Sequence, residues 1–116
     1  MKLVKSNDGK YIFYCQGCGE CHGVNGGWTF NGDTNNPTLS PSILVKGTRM
    51  TEKGVADYEE WQKAGYPDRN GESFDSANII CHSFVREGKI QYLHDCTHAL
   101  AGQTVELLKE EDWFKD

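Results

Sequence analysis

Ile79-Ile-Cys-His-Ser-Phe-Val-Arg-Glu-Gly-Lys-Ile-Gln-Tyr-Leu-His-Asp-Cys-Thr-His98 is the stretch that decides the fold. Two runs rich in Ile, Val, Phe and Tyr flank Glu87-Gly88. That pattern predicts two strands joined by a tight turn, with Gly supplying a positive φ. If Glu87 and Gly88 are the two loop residues, Arg86 faces Lys89, Cys81 faces His94 and Ile79 faces Cys96. Side chains alternate along a strand, so Cys81, His94 and Cys96 are expected on one face with Ser83, Val85, Ile90 and Tyr92. His82 falls on the other face with Phe84, Leu93 and Asp95. Five Cys or His residues converge on the open end of this one hairpin.

The rest of the composition explains why such a cluster is needed. A chain of 116 residues that is 37% hydrophobic predicts a single domain, 1–116, with a thin core. A core that lean calls for a further staple, a metal or disulfides. The N-terminus, Met1-Lys-Leu-Val-Lys-Ser-Asn-Asp, has no long apolar segment, and no run approaches the roughly eighteen apolar residues of a membrane span. The expected location is therefore the cytoplasm, where disulfides are uncommon. Five cysteines, an odd number, then point to metal or free thiols. A net charge of −5 without any basic run longer than a pair argues against nucleic acid as a partner.

Upstream, Lys10-Tyr-Ile-Phe-Tyr14 is a short β-prone run leading into Cys15-Gln-Gly-Cys-Gly-Glu-Cys-His22, the build of a zinc knuckle. Trp28 and Phe30 suggest a strand between Val24 and Phe30, and Asn31-Gly32 turns the chain. Pro37 and Pro41 predict an irregular arm before an edge strand at 43–46. Residues 47–78 read as a charged insertion holding one short helix over 55–64, with Thr51 a candidate cap, Gly65 at the stop and Pro67 beyond. A last strand is expected over 103–107, followed by a charged, loosely held tail at 109–116 apart from Trp113-Phe114. The fold class is α+β: a small β-rich, zinc-stabilised domain with a central antiparallel hairpin and one inserted helix.

Zinc takes four S or N ligands, commonly two from each of two turns. Cys15 and Cys18 are the natural first pair. The second pair comes from Cys81, His82, Cys96 and His98, with Cys81 and His98 the preferred choice and Cys96 the reserve. The bland alternative, buried thiols and surface histidines, is weakened by five cysteines and four histidines at these spacings. Two sharper readings fail. Cys18-Gly-Glu-Cys-His22 matches a haem-attachment motif, but export and enclosing helices are missing from the pattern. Cys15-x-x-Cys18-x-x-Cys21 opens like an iron–sulfur run, yet the His-rich second half suits zinc better. One closed zinc site cannot use every Cys and His. His82, His22 and Asp95 are therefore candidates for general acid–base work, or a three-ligand zinc would activate water.

Cys15-Gln-Gly-Cys-Gly, Trp28-Thr-Phe-Asn-Gly, Pro37-Thr-Leu-Ser-Pro-Ser-Ile-Leu44, Cys81-His-Ser-Phe-Val85 and Asp95-Cys-Thr-His-Ala-Leu-Ala-Gly-Gln-Thr-Val105 occur in this order. The set resembles a family of small phage, prophage and bacterial proteins assigned to a domain of unknown function. Many of its members carry the label ammonia monooxygenase. Nothing in this chain supports that oxygenase label, since neither membrane spans nor a redox site is visible. Some bacterial relatives are associated with ubiquitin-like conjugation operons and are thought to act there as peptidases, so the resemblance implies a hydrolase without fixing its nucleophile. Cys15, Cys18, His22, Cys81, His82 and His98 match the family motif. Cys21 and His94 are additions here, and the resemblance allows Ser at position 96. The expectation is a phage- or prophage-type zinc protein, either a zinc-dependent peptidase acting on a peptide or a non-enzymatic module binding a host or phage protein. A closed four-ligand metal would favour the module, and three ligands plus water the enzyme.

Overall fold

Antiparallel strands make up most of the chain, as β1 (Val4–Lys5), β2 (Tyr11–Cys15), β3 (Glu20–Val24), β4 (Thr29–Phe30), β5 (Leu39–Met50), β6 (Ser76–Arg86), β7 (Lys89–Tyr92) and β8 (Thr104–Glu106). One α-helix, α1 (Glu52–Lys63), lies between β5 and β6, and a short 3₁₀ turn (Glu110–Asp112) follows β8. The computed structural model describes residues 1–114, so the last two residues of the tail lie outside the described residues. The strands form a three-stranded sheet, β1-β2-β3, and a five-stranded sheet, β4-β5-β6-β7-β8. Two units are distinct: residues 1–45 with Ile80 onward, and Lys46–Ile79. Among the described residues no helix is long and apolar enough to cross a membrane.

In the first unit, β6 and β7 pair Arg86 with Lys89, Val85 with Ile90 and Ser83 with Tyr92. Glu87 and Gly88 both have positive φ (49° and 79°), the twist a two-residue hairpin loop needs. The face carrying Cys81, Ser83, Val85, Ile90 and Tyr92 is buried. It packs with Leu3, Phe13, Cys15 and Val24 from the smaller sheet's side and with Leu39, Ile43 and Leu107.

Beyond Tyr92 the alternation stops. Leu93 N–H still reaches His82 O (2.9 Å), but Cys96 N–H turns back onto Leu93 O (3.2 Å), and Thr97 N–H then meets Ile80 O (2.9 Å). This turn inserts residues into one side of the pair. His94 therefore does not share the Cys81 face. It is exposed, and its ring stands where a Cβ on Gly102 would lie 2.7 Å from Cε1.

Two other expectations shift. β5 starts at Leu39, earlier than the expected 43–46, and β4 pairs with it only at Leu39 and Ser40, so residues 43–46 lie beyond the end of β4 on that side while β6 is the neighbour on the other. Its ladder with β4 consists of Phe30–Leu39 and Thr29–Ser40, so the missing N–H of Pro41 interrupts no pair with β4. The strand expected over 24–30 is split, because Asn25 Oδ1 accepts from Gly27 N–H (2.8 Å) and turns the chain between β3 and β4.

In the second unit α1 begins earlier than the 55–64 pattern suggests. Thr51 caps it, its Oγ1 accepting from Gly54 N–H at 3.1 Å. Tyr58 and Trp61 pack with Phe74, over which Arg69 lies at 3.8 Å.

Candidate active site and metal centre

β2 delivers Cys15 into a tight turn. Gly19 N–H closes it on Cys15 O (2.8 Å), and the Cys18 amide points at Cys15 Sγ (3.3 Å). Cys81 arrives on the buried face of β6, and His98 in the loop after β7. The ligand atoms of Cys15, Cys18, Cys81 and His98 all lie within 4.8 Å of one another, so these four residues are positioned to hold a metal ion. Cys15 and Cys81 Sγ are 3.7 Å apart, well beyond a disulfide bond, and both are free.

The surroundings of the four residues fit that use. Leu100 N–H points at His98 Nδ1 (3.2 Å), while Nε2 is buried with no hydrogen-bond partner among the described residues. Nε2 can bind a cation only with the ring proton on Nδ1, and in that tautomer the buried ring nitrogen and three sulfurs make a donor set for a soft or borderline cation. Tyr92 stands edge-on to the His98 ring (4.5 Å between centroids). Its hydroxyl bonds Cys15 Sγ (3.3 Å) and accepts from Gly17 N–H (3.1 Å).

Ionisation is shared unequally within the cluster. The hydrogen bond from Cys81 does most to hold Cys15 as a thiolate. Against burial, His22, Tyr92 and the Cys18 amide add to it, bringing the pKa down to about 3. That same contact pushes Cys81 up, and burial followed by the Cys15 charge pushes Cys18 up to about 11. Alone, the pocket favours one negative sulfur. A divalent cation bound there would stabilise three.

Gly17 is a close-approach position. A Cβ there would sit 2.3 Å from His98 Cε1. Gly17→Ala should therefore displace the imidazole and weaken metal binding about 10- to 100-fold, read by competition with a chromophoric chelator. Unchanged affinity would remove His98 from the ligand set.

A second constellation lies on the opposite face of β6. Because β5 and β6 are neighbours, Ser42 Oγ comes within 3.2 Å of His82 Nε2. Asp95 Oδ2 lies 3.2 Å from His82 Nδ1. The His82 and Asp95 side chains are 27% and 53% exposed, and Ser42 is half-buried, so a reactant can reach all three. With Nδ1–H donating to Asp95, Nε2 is left to accept the Ser42 proton. This is the hydroxyl–imidazole–carboxylate order that activates a serine.

One sequence profile, that of a family described as bacterial ubiquitination-like system serine protease (BubE), matches residues 1–93. The chain belongs to the BubE family. No curated protein and no solved structure matches it significantly. Ser42 and His82 fall within the span matched to BubE. Asp95 and His98 lie just beyond it, and geometry alone brings them to their sites.

Cys96 takes no part in the metal group. Its Sγ accepts from His82 N–H and donates to His82 O, both at 3.2 Å, because the Leu93–Cys96 turn aims it at the β6 backbone. His22 does not join Ser42, His82 and Asp95. It is 6% exposed, edge-on to Phe13 (5.9 Å) in the core. Cys21, paired with Tyr14 on the neighbouring strand, also stays out of the cluster, which removes the iron–sulfur spacing. Ser42 was not among the sequence candidates. Its only signal was its place in the Pro37–Leu44 motif, where a Ser beside Pro reads as turn chemistry.

Proposed function

We propose that this chain is a serine peptidase acting on a polypeptide within a ubiquitination-like system, and that its metal is a structural zinc. The observation that carries the reading is the unbroken contact from Ser42 through His82 to Asp95. The family description supports the same reaction class. In the proposed cycle His82 Nε2 takes the Ser42 proton as Oγ attacks the scissile carbonyl, then passes it to the leaving amine. Asp95 holds the ring in the tautomer that allows both transfers. Water deacylates the serine with His82 again as base.

Three thiolates and one imidazole fit a closed structural zinc site. With that set separate from Ser42, the zinc-hydrolase expectation gives way to a serine mechanism. Zinc, when bound, supplies folding energy and holds the elements that carry His82 and Asp95. The test is covalent. A fluorophosphonate should label Ser42, identified by peptide mapping, and labelling should fall at least about 100-fold in His82→Ala. Labelling elsewhere, or a full rate without His82, would sink the reading. A protein-binding surface on the second unit remains a second reading. It is favoured by a cleft of about 410 Å³ that brings Asp57, Glu60, Asp68 and Glu72 together with Trp61.

A further inference from the structure

We propose that the cleft between the free edges of β3 and β5 is the substrate groove, and that it takes an uncharged stretch of polypeptide in extended conformation. The proposal rests on Ser42 being the nucleophile. β3 ends its sheet and, among the described strands, pairs with β2 alone. β4 covers β5 at Leu39 and Ser40 and then stops, so among the described strands nothing pairs with that side of β5 from Ser42 onward. The two edges line one cleft of about 330 Å³, formed by residues 23–25 and 42–45 with Trp28. Ser42 is part of its wall.

Strand edges present unmet N–H and C=O groups, and an extended peptide satisfies them by adding as a further strand. An unfolded segment meets that demand, and a helix cannot. Side-chain selectivity follows from the lining, which contains no Asp, Glu, Lys or Arg. A charged substrate residue seated there would lose water and gain no counter-charge. Trp28 gives the groove a rigid apolar wall beside the nucleophile, since its Nε1–H donates to Pro41 O at 3.0 Å. Leu44, 51% exposed, adds an apolar side chain that the fold itself leaves uncovered. A second cleft of about 490 Å³ beside β5 carries Arg86 and Glu87 but does not include Ser42. Its charged lining and the place of Ser42 in the wall of the other cleft both favour the first.

The probe is a positional-scanning pool of capped hexapeptides ending in a fluorogenic amine. Turnover should be fastest for members with uncharged residues next to the cleaved bond. Leu44→Asp places a carboxylate in the groove from an exposed position, and should raise KM at least about 10-fold with kcat within about twofold. Arg86→Gln, in the other cleft, should leave both constants within about twofold. A Leu44→Asp KM equal to the parent's, or a raised KM in Arg86→Gln, would overturn the proposal. Binding without chemistry separates this proposal from the mechanism. Titrating the pool into Ser42→Ala protein should shift the amides of residues 23–25 and 43–45. Shifts at 38–40 and 84–87 instead, or at neither set, would overturn the groove. Shifts at the first set in a chain whose Ser42 resists fluorophosphonate would support the groove and overturn the nucleophile alone.

Discussion

Ser42→Ala protein should lose peptide cleavage by about 10⁴-fold or more while melting and binding metal like the parent. The substitution deletes one oxygen from a half-buried strand position. It breaks a single contact, the 3.2 Å approach to His82 Nε2, which is worth about 1 kcal/mol of stability. The packing at this point of β5 is carried by Ile43, 3% exposed, and is untouched. Activity has no comparable reserve, because among the described residues no other hydroxyl contacts the His82 ring. Asp95→Asn should cost less, about 100-fold in kcat. The Asp95 side chain is 53% exposed, so water replaces part of what the carboxylate does. Residual cleavage by Ser42→Ala within about tenfold of the parent would place the nucleophile elsewhere.

The sequence displayed the candidate metal cluster far better than the proposed catalytic one, and the reason is range. Cys15-x-x-Cys18 is a local motif. Cys81 lies on a strand whose register is set by the adjoining Glu87-Gly88 turn, so both halves of the clip were legible from short spacings. His82 and Asp95 were readable as sharing the other face of that hairpin. Ser42 was not. Its approach to His82 depends on β5 lying next to β6, and no local pattern announces which strands become neighbours across an insertion. Prolines at 37 and 41 also argued against a central strand, and β4, only two residues long, makes that argument fail. Cys96 and His94 were misplaced for a different reason. The Leu93–Cys96 turn breaks the alternation that had put them beside Cys81, and turns Cys96 toward the His82 backbone instead. β3 was hidden because its sequence, Glu-Cys-His-Gly-Val, reads as the continuation of a ligand-rich loop.

Removing the metal should unfold the first unit. The protein is expected to purify with about one zinc per chain, and chelation or Cys18→Ala should give an aggregation-prone chain without a cooperative melt. Structural zinc contributes about 10–16 kcal/mol of apparent binding free energy, as large as the whole stability of most domains of this size. The clip joins Cys15 and Cys18 at the β2–β3 turn of one sheet to Cys81 on β6 of the other, closing a loop of 66 residues. Its members are also core: Cys15 is fully buried and Cys81 1% exposed. Without an ion, the buried His98 Nε2 has no hydrogen-bond partner among the described residues. Cys21→Ala, outside the cluster, should keep metal and melt like the parent. His82→Ala should do the same while losing activity, because its ring faces Ser42 and Asp95 rather than the sulfurs. Activity and structure should therefore fail together on chelation. Cys81 immediately precedes His82, and His98 closes the loop that holds Asp95, so loosening the clip displaces both partners of Ser42. A chelated protein that keeps its melt but loses cleavage would make the metal catalytic, and one that keeps both would show that the four residues hold no metal that matters to the fold.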